Sequence, residues 1–116
     1  MRIYFLVLSM LVYVPLFALS DVEPQKTRTA AQLYRRYCVS CHGNDGRAQT
    51  SKGKFSHARD LADPQWQAEV SDERIFNSIM NGRNQRGNMP AFASKLNEKE
   101  AESLVAFVRG LKGQQQ

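Results

Sequence analysis

The densest group of reactive side chains is the segment RRYCVSCHGNDG, residues 35–46. It contains the only two cysteines of the sequence, Cys38 and Cys41, and His42 follows the second of them directly. Residues three and four apart share one face of a helix, so both sulfurs and the imidazole project to the same side. The helical rise separates the two sulfurs by about 4.5 Å along the axis. Two such thiols can each add to one vinyl group of a haem while the imidazole binds its iron, so the C-x-x-C-H spacing indicates c-type haem attachment.

Three other uses of the two thiols fit the sequence less well. A structural zinc site needs four ligands, whereas His57 is the only histidine besides His42 and no third cysteine exists. A thioredoxin-like dithiol belongs to a βαβ unit, and the chain has no convincing strand pattern. A disulfide between Cys38 and Cys41, within one helical turn, would constrain almost nothing of the fold.

Met89 is predicted to be the second protein ligand of the iron. A thioether is a soft neutral ligand, and Met/His ligation raises the reduction potential of a haem. Met89 lies in an otherwise polar loop, and Pro90 restricts the backbone beside it. Met80, within a helical stripe, is interpreted as core filler. His57 is the competing ligand, but nothing near it fixes its position, and a solvated surface histidine is the favoured interpretation.

The first helix has to carry the two cysteines. Thr29 and Gln32 form a capping-box pattern at its start, and apolar residues at spacings of three and four continue through Cys41 until Gly43 ends the helix. From residue 44 to about residue 70 no period persists. This stretch is expected to be a long loop with short helical turns.

Two further helices complete the predicted set. One begins at a Ser71 cap, has acidic residues in its first turn and ends at Gly82. The other opens with the capping pattern of Asn97 and Glu100 and closes the domain with an apolar stripe. Three helices, long loops and no strand predict an all-α domain.

With these elements in place, residues 29–113 resemble a class I c-type cytochrome. The matching motifs are CVSCHG after the first helix, NMPAF after a Gly-rich loop, and LNEKEAESLVAFVRGL as the closing helix. The resemblance implies a cytochrome c-like fold whose three main helices and long loops surround one covalently bound haem c. It implies thioethers at Cys38 and Cys41, His42 as the proximal axial ligand of the iron and Met89 as the distal one.

The resemblance also implies a function. A monohaem protein of this kind carries single electrons between larger redox complexes as its iron cycles between Fe(II) and Fe(III). Since the protein fills both axial positions, it is expected not to be an enzyme. The alternatives are a haem-binding subunit or membrane-tethered domain of a larger oxidoreductase, and a haem enzyme or gas sensor with a labile sixth ligand.

One feature departs from the family pattern. Many relatives carry a proline in the loop after C-x-x-C-H, and that neighbourhood supplies the carbonyl that accepts the Nδ1 proton of the proximal histidine. Residues 43–63 contain no proline. An acceptor is expected for His42, because a ligating histidine donates its other N–H to a nearby group, but the sequence does not identify it.

The N-terminus predicts export. Residues 1–20 combine one basic residue, an apolar run and small residues at the cleavage positions, the pattern of a signal peptide. A periplasmic location follows from this pattern. Residues 21–28 are expected to form a flexible arm, and residues 114–116 a disordered tail. The alternative is an uncleaved membrane anchor, although residues 3–19 would reach only about 26 Å as a helix and contain Pro15.

The net charge of the protein and the positions of its basic residues bear on which partners it can bind. The formal net charge is +5, and five basic residues fall in the loops predicted to border the haem: Lys52, Lys54, Arg59, Arg83 and Arg86. They are either solvated surface or a positive rim that steers acidic redox proteins. No helix has a basic face, so nucleic acid is not an expected partner. The mature protein is expected to be a monomer without membrane contact once the signal peptide is removed.

Overall fold

The computed structural model describes residues 27–85 and 87–113. This part of the chain contains six helices: α1 (Ala30–Tyr37), α2 (Val39–His42), α3 (Ser51–Phe55), α4 (Pro64–Glu69), α5 (Asp72–Asn81) and α6 (Glu98–Arg109). No strand occurs in it, and its only isolated β-pairing is an antiparallel bridge between Arg83 and Met89. The all-α prediction is confirmed. The predicted signal peptide, most of the predicted arm, Arg86 and the tail lie outside the described residues.

Both predicted capping boxes are present. In α1 the Gln32 N–H donates to the Thr29 hydroxyl, and the Thr29 N–H donates to the Gln32 side chain. In α6 the Glu100 N–H donates to the Asn97 side chain, and the Asn97 N–H donates to the Glu100 carboxylate. Each box satisfies backbone donors that the first helical turn would otherwise leave without partners. The starts of the first and last helices are therefore set by residues three positions apart.

The prediction of one continuous first helix is wrong. The helix is divided at Cys38, whose φ of −112° departs from the ideal helical value while its ψ of −37° stays in the right-handed helical region. Helix α1 therefore ends at Tyr37, and α2 begins at Val39. Helical hydrogen bonds continue on both sides of the break. The Cys38 N–H donates to the Tyr34 carbonyl over 2.8 Å, and the His42 N–H donates to the Cys38 carbonyl over 2.9 Å. The one-turn relation between Cys38 and His42 is thus kept.

The stretch predicted as a long loop with short helical turns holds two short helices, α3 and α4. The Thr50 hydroxyl caps α3 by accepting the Gly53 N–H, and Asp63 caps α4, which has Pro64 in its first turn. Proline is favoured there because its missing N–H would have no helical partner. These helices cross the region between the C-x-x-C-H motif and α5.

Helix α6 packs against α1 and α5 and joins them in one hydrophobic core. Its buried members are Leu33, Tyr34, Leu61, Ile75, Ile79, Phe92, Leu96, Ala101, Leu104, Val105, Val108 and Leu111. The Arg28 guanidinium binds the Glu100 carboxylate through two nitrogens, at 2.8 and 2.6 Å, which attaches the residues before α1 to α6. At the other end of α6, Arg109 contacts Asp72 at 2.7 Å and donates to the Gln67 and Val70 carbonyls. These contacts fix α6 relative to the elements that form the site.

Candidate functional site

All four predicted haem contacts lie on one cavity. Cys38, Cys41, His42 and Met89 line a space of about 430 Å³, a size typical of small-molecule and cofactor sites. Its walls come from α1, α2, α4, α5, α6, residues 56–61 and the segment that ends at Met89. Apolar side chains contribute much of the lining, among them Leu61, Ile75, Ile79, Leu104 and Val108. The fold therefore brings together predicted haem contacts that lie up to 51 positions apart in sequence, from Cys38 to Met89.

His42 is held by a hydrogen bond that the sequence did not identify. Its Nδ1 lies 2.9 Å from the carbonyl oxygen of Arg59. Because a carbonyl only accepts, Nδ1 carries the proton and Nε2 keeps its lone pair. Burial lowers the pKa of His42, while the hydrogen bond to Arg59 acts in the opposite direction. A neutral imidazole with a free Nε2 is the form that binds a metal, so the surroundings of His42 fit the expected axial ligand.

The two cysteines are free, half-buried thiols. Burial, with a smaller contribution from Cys41, raises the pKa of the Cys38 thiol to about 11. A catalytic dithiol needs a stabilised thiolate, and the surroundings of Cys38 have the opposite effect. Residues 27–85 and 87–113 also contain no group of three or more His, Cys, Asp or Glu side chains that could hold a metal ion. The raised pKa thus does not fit a redox-active dithiol, and the described residues offer no cluster that would complete a zinc site around the two thiols.

Helix α3 supports the C-x-x-C-H turn, a role that the sequence analysis missed. The Thr50 hydroxyl lies 2.8 Å from the Ser40 carbonyl and 3.0 Å from the Cys41 carbonyl. Gly53 packs so closely on the same turn that a Cβ there would overlap the Cys41 carbonyl oxygen and lie 2.9 Å from the Ala48 carbonyl. Only glycine allows this approach of the two backbones. The spacing Thr-x-x-Gly could have revealed the cap of α3, but no sequence signal marks the contact of Gly53 with the Cys41 carbonyl.

Backbone hydrogen bonds fix the position of Met89. The Arg83 N–H donates to the Met89 carbonyl over 2.9 Å, and the Met89 N–H donates back to the Arg83 carbonyl over 3.0 Å. Three residues further on, the Phe92 N–H donates to the Ile79 carbonyl over 3.0 Å. The segment that contains Met89 is thus hydrogen-bonded to Arg83, which follows α5, and to Ile79 within α5. Met80, interpreted as core filler, packs against the hydrophobic core and is not part of the cavity lining.

Gly82 permits this pairing. Its φ of 71° and ψ of 179° lie in a region that only glycine occupies readily. A Cβ at this position would lie 2.6 Å from the Met89 carbonyl oxygen and 2.8 Å from the Ala91 nitrogen. The sequence identified Gly82 as the end of a helix, but its second role, the close approach to Met89, depends on tertiary contact.

His57 lines the same cavity as Met89. It is an exposed residue with a φ of 52°, an unusual backbone conformation for a residue other than glycine. The loop before Met89 contacts this region, because the Asn88 N–H donates to the Ser56 carbonyl over 3.3 Å and a Cβ on Gly87 would lie 2.9 Å from the same oxygen. His57, the competing ligand, and Met89, the predicted ligand, therefore belong to adjoining segments.

The comparisons with known proteins agree with these features. The family model described as cytochrome c oxidase, cbb3-type, subunit III matches residues 25–108. The chain is 29% identical over 91 residues to the cbb3-type cytochrome c oxidase subunit FixPc of Rhizobium leguminosarum bv. viciae, covering 78% of this chain and 30% of that protein. It is 28% identical over 94 residues to the cytochrome bc1 complex cytochrome c subunit of Corynebacterium efficiens, covering 79% of this chain and 28% of that protein.

A solved structure is similar over nearly its whole length. The KustC0563 c-type cytochrome is 41% identical, with a TM-score of 0.67, and the match covers 73% of this chain and 99% of that one. By contrast, the chain spans only about 30% of the length of the curated relatives it matches. The similarity to these longer proteins therefore concerns less than a third of each.

Proposed function

Since the chain belongs to the family of cytochrome c oxidase, cbb3-type, subunit III, and is a class I c-type cytochrome that carries haem c, we propose which residues hold the haem. Cys38 and Cys41 would form its two thioethers, and His42 and Met89 would bind its iron. The observation that carries this proposal is the cavity that all four residues line. When bound, the haem iron supplies one-electron chemistry by cycling between Fe(II) and Fe(III).

The chain's own residues position the two ligands of the iron and would keep substrates away from it. The Arg59 carbonyl orients the imidazole of His42, and the backbone pairing of Arg83 with Met89 presents the thioether. If His42 and Met89 both hold the iron, a substrate would have no access to the metal. This arrangement suits electron transfer rather than catalysis at the iron, and we infer that the protein is a single-electron carrier and not an enzyme.

The partners are inferred to be larger redox complexes. The relatives named above are subunits of a cbb3-type cytochrome c oxidase and of a cytochrome bc1 complex. Because the chain matches less than a third of each, a fixed place in such a complex does not follow for it. A carrier that exchanges electrons with complexes of this kind is the function that best fits a chain with a single C-x-x-C-H motif.

Export is part of the proposal. We infer that residues 1–20 are removed and that the mature domain works in the periplasm. Within residues 27–85 and 87–113, no helix has the length and hydropathy needed to span a bilayer. Residues 3–19, the alternative membrane anchor, lie outside that part of the chain.

Intact mass and absorption spectrum of the exported protein test haem attachment and export together. Under denaturing conditions the expected mass is that of a chain beginning at Asp21 plus one haem, because thioethers survive denaturation. The spectrum is expected to contain the weak long-wavelength band of a sulfur–iron bond. A colourless product from a host equipped for cytochrome c maturation would contradict the function, and a coloured product that retains residues 1–20 would contradict only the cleavage.

Replacement of Met89 by leucine tests the distal ligand. Leucine keeps the approximate volume of the side chain but has no lone pair for the iron. The ferrous Met89→Leu protein is expected to bind carbon monoxide readily, whereas the wild-type protein resists it, and the long-wavelength band should be lost. Flash photolysis and absorption titration with carbon monoxide measure the binding to the ferrous protein. The absorption spectrum of the ferric protein shows whether the long-wavelength band is lost.

The chain contains a matched control for this substitution. Met80→Leu changes a methionine that packs in the core and does not line the cavity, so it should keep the band and the resistance to carbon monoxide. His57→Ala separates the competing ligand. If that variant, and not Met89→Leu, binds carbon monoxide, the assignment of Met89 is wrong and His57 is the distal ligand.

A further inference from the structure

Two polar side chains, His42 and Gln67, are buried in the part of the chain that the structure describes. His42 lines the cavity, whereas Gln67, with 5% of its area exposed, lies on α4 and is not part of the cavity lining. Burying an amide is costly unless its polar atoms find partners, and an apolar side chain at this position would avoid that cost. The hydrogen bonds of Gln67 therefore have to account for its presence.

The side-chain amide of Gln67 joins three parts of the fold. Its Nε2 donates to the Leu61 carbonyl and to the Val108 carbonyl, each over 2.8 Å, and its Oε1 accepts from Nη1 of Arg109 over 3.0 Å. Because a guanidinium only donates and carbonyls only accept, this orientation of the amide is the one that satisfies all three partners. Gln67 thus ties α4 to the segment that precedes it and to α6.

Arg109 fixes the amide and the helix that carries it. Its Nη1 also donates to the backbone carbonyl of Gln67 over 2.7 Å, and its Nη2 donates to the Val70 carbonyl over 2.6 Å. Hydrogen bonds from a charged donor are stronger than those between neutral groups. One guanidinium on α6 therefore holds both the end of α4 and the side chain of Gln67 in place.

The Leu61 carbonyl belongs to the segment that orients His42. Two residues before it, the Arg59 carbonyl accepts the Nδ1 proton of His42 over 2.9 Å. The Leu61 N–H donates to the Gly46 carbonyl over 2.7 Å, so Leu61 is held by Gly46 through its N–H and by Gln67 through its carbonyl. Since only two peptide units separate the two carbonyls, holding Leu61 restricts the direction in which the Arg59 carbonyl can point.

We propose that Gln67 is a positioning residue of the haem site, which holds residues 59–61 so that the Arg59 carbonyl keeps its hydrogen bond with His42. The inference rests on the proposed ligation of the iron by His42. A hydrogen bond at Nδ1 makes a metal-ligating imidazole a better electron donor. Fe(III) gains more from this donation than Fe(II) because its charge is higher. Loosening residues 59–61 should therefore weaken the hydrogen bond and raise the reduction potential.

A purely structural role of Gln67 would change the potential in the opposite direction. If the amide only stabilised the packing of α4 on α6, its loss would let water approach the iron. Solvent exposure is one of the factors that set the potential of a haem, and water stabilises the more highly charged ferric form. The potential would then fall. The sign of the change thus separates a role in orienting His42 from a role in packing alone.

Gln67→Met in the full-length holoprotein tests the proposal. Methionine has a similar length and no charge, but it cannot donate to Leu61 or Val108. In a spectroscopic titration, the equilibrium with a one-electron mediator of known potential should move toward Fe(II) by up to about tenfold, the smaller end of the effects of changing a partner of a ligating histidine. In NMR spectra of the ¹⁵N-labelled ferrous protein, the Nδ1 proton of His42 should move to lower chemical shift, because a weaker hydrogen bond deshields it less.

The matched control is Gln65→Met. Gln65 is an exposed glutamine on the same helix whose side chain donates to Glu69, so its replacement should leave the potential and the Nδ1 proton unchanged. Arg109→Lys gives a second variant if Gln67→Met does not fold. It keeps the charge but loses the planar fork that holds the amide, and it should change both measurements in the same direction and by less.

The contrary results are distinct from one another. A potential that falls or stays at the wild-type value would overturn the positioning role of Gln67, and so would a wild-type chemical shift of the Nδ1 proton. Both results leave the ligation by His42 intact. If the ring protons of His42 in the wild-type ferrous protein lack the large shifts that a haem ring current causes, His42 is not a ligand. The proposed ligation then fails, and the role of Gln67 fails with it.

Discussion

Replacing Cys38 and Cys41 together by alanine should yield a chain without covalently bound haem, and the chain stripped of haem should have no cooperative unfolding transition. The cavity that these residues line measures about 430 Å³. At about 24 cal/mol per Å³, leaving such a volume unfilled costs at most ~10 kcal/mol, comparable with the ~5–15 kcal/mol that stabilises a whole domain. Partial collapse would lower this cost but would also displace core residues such as Leu104 and Ile79 that line the cavity.

The single variant Cys38→Ala is the matched control. It keeps the thiol of Cys41 and should retain haem through one thioether, with its mass still attached under denaturing conditions. Acid–solvent extraction should remove all haem from the double variant and none from the single one. The thermal transition is then followed by far-UV circular dichroism. Haem mass on the double variant would refute the thioether assignment, and a cooperative transition of the stripped chain would refute the dependence of the core on the cofactor.

The sequence predicted those parts of the fold that depend on neighbouring residues. The capping boxes of α1 and α6 and the Ser71 cap of α5 were predicted because each bond joins residues three positions apart. The Asp63–Pro64 pair that begins α4 is a signal of the same local kind, but the short helical turns predicted for this stretch were not assigned to particular residues. Helix α3 has five residues, too few for any hydrophobic period to be visible.

The support of the site could not be predicted, because it depends on backbone atoms and close approaches. The acceptor for His42 is the carbonyl of Arg59, and every residue type offers a carbonyl, so no pattern marks it. Gly53 and Gly82 matter for the space beside them rather than for a side chain. Gly53 lies 12 positions after its neighbour Cys41, and Gly82 lies 7 positions before its neighbour Met89. Only the folded chain brings each glycine against its neighbour. The residue types of a haem site are thus visible in the sequence, while the contacts that hold them are not.

Gly82→Ala should release Met89 from the position in which the backbone holds it. Two effects add. The alanine would have to adopt φ 71° and ψ 179°, which costs about 1–3 kcal/mol, and its Cβ would lie 2.6 Å from the Met89 carbonyl and 2.8 Å from the Ala91 nitrogen. Overpacking of this kind costs a further 1–3 kcal/mol or so. Because the neighbours are backbone atoms, the strain is relieved by moving the Met89 segment and breaking its pairing with Arg83.

The expected result is a holoprotein that keeps its haem but loses the long-wavelength band and binds carbon monoxide when ferrous, as Met89→Leu does. Urea unfolding of the ferric protein should show a stability lower by about 2–6 kcal/mol. Gly113→Ala is the control, because Gly113 also has a positive φ, of 65°, but has no atom within 4 Å of an added Cβ. An intact band in Gly82→Ala would mean that the close approach of Gly82 does not position Met89. If Gly113→Ala lost the band to the same extent, strain alone would be the cause, since the control changes no contact.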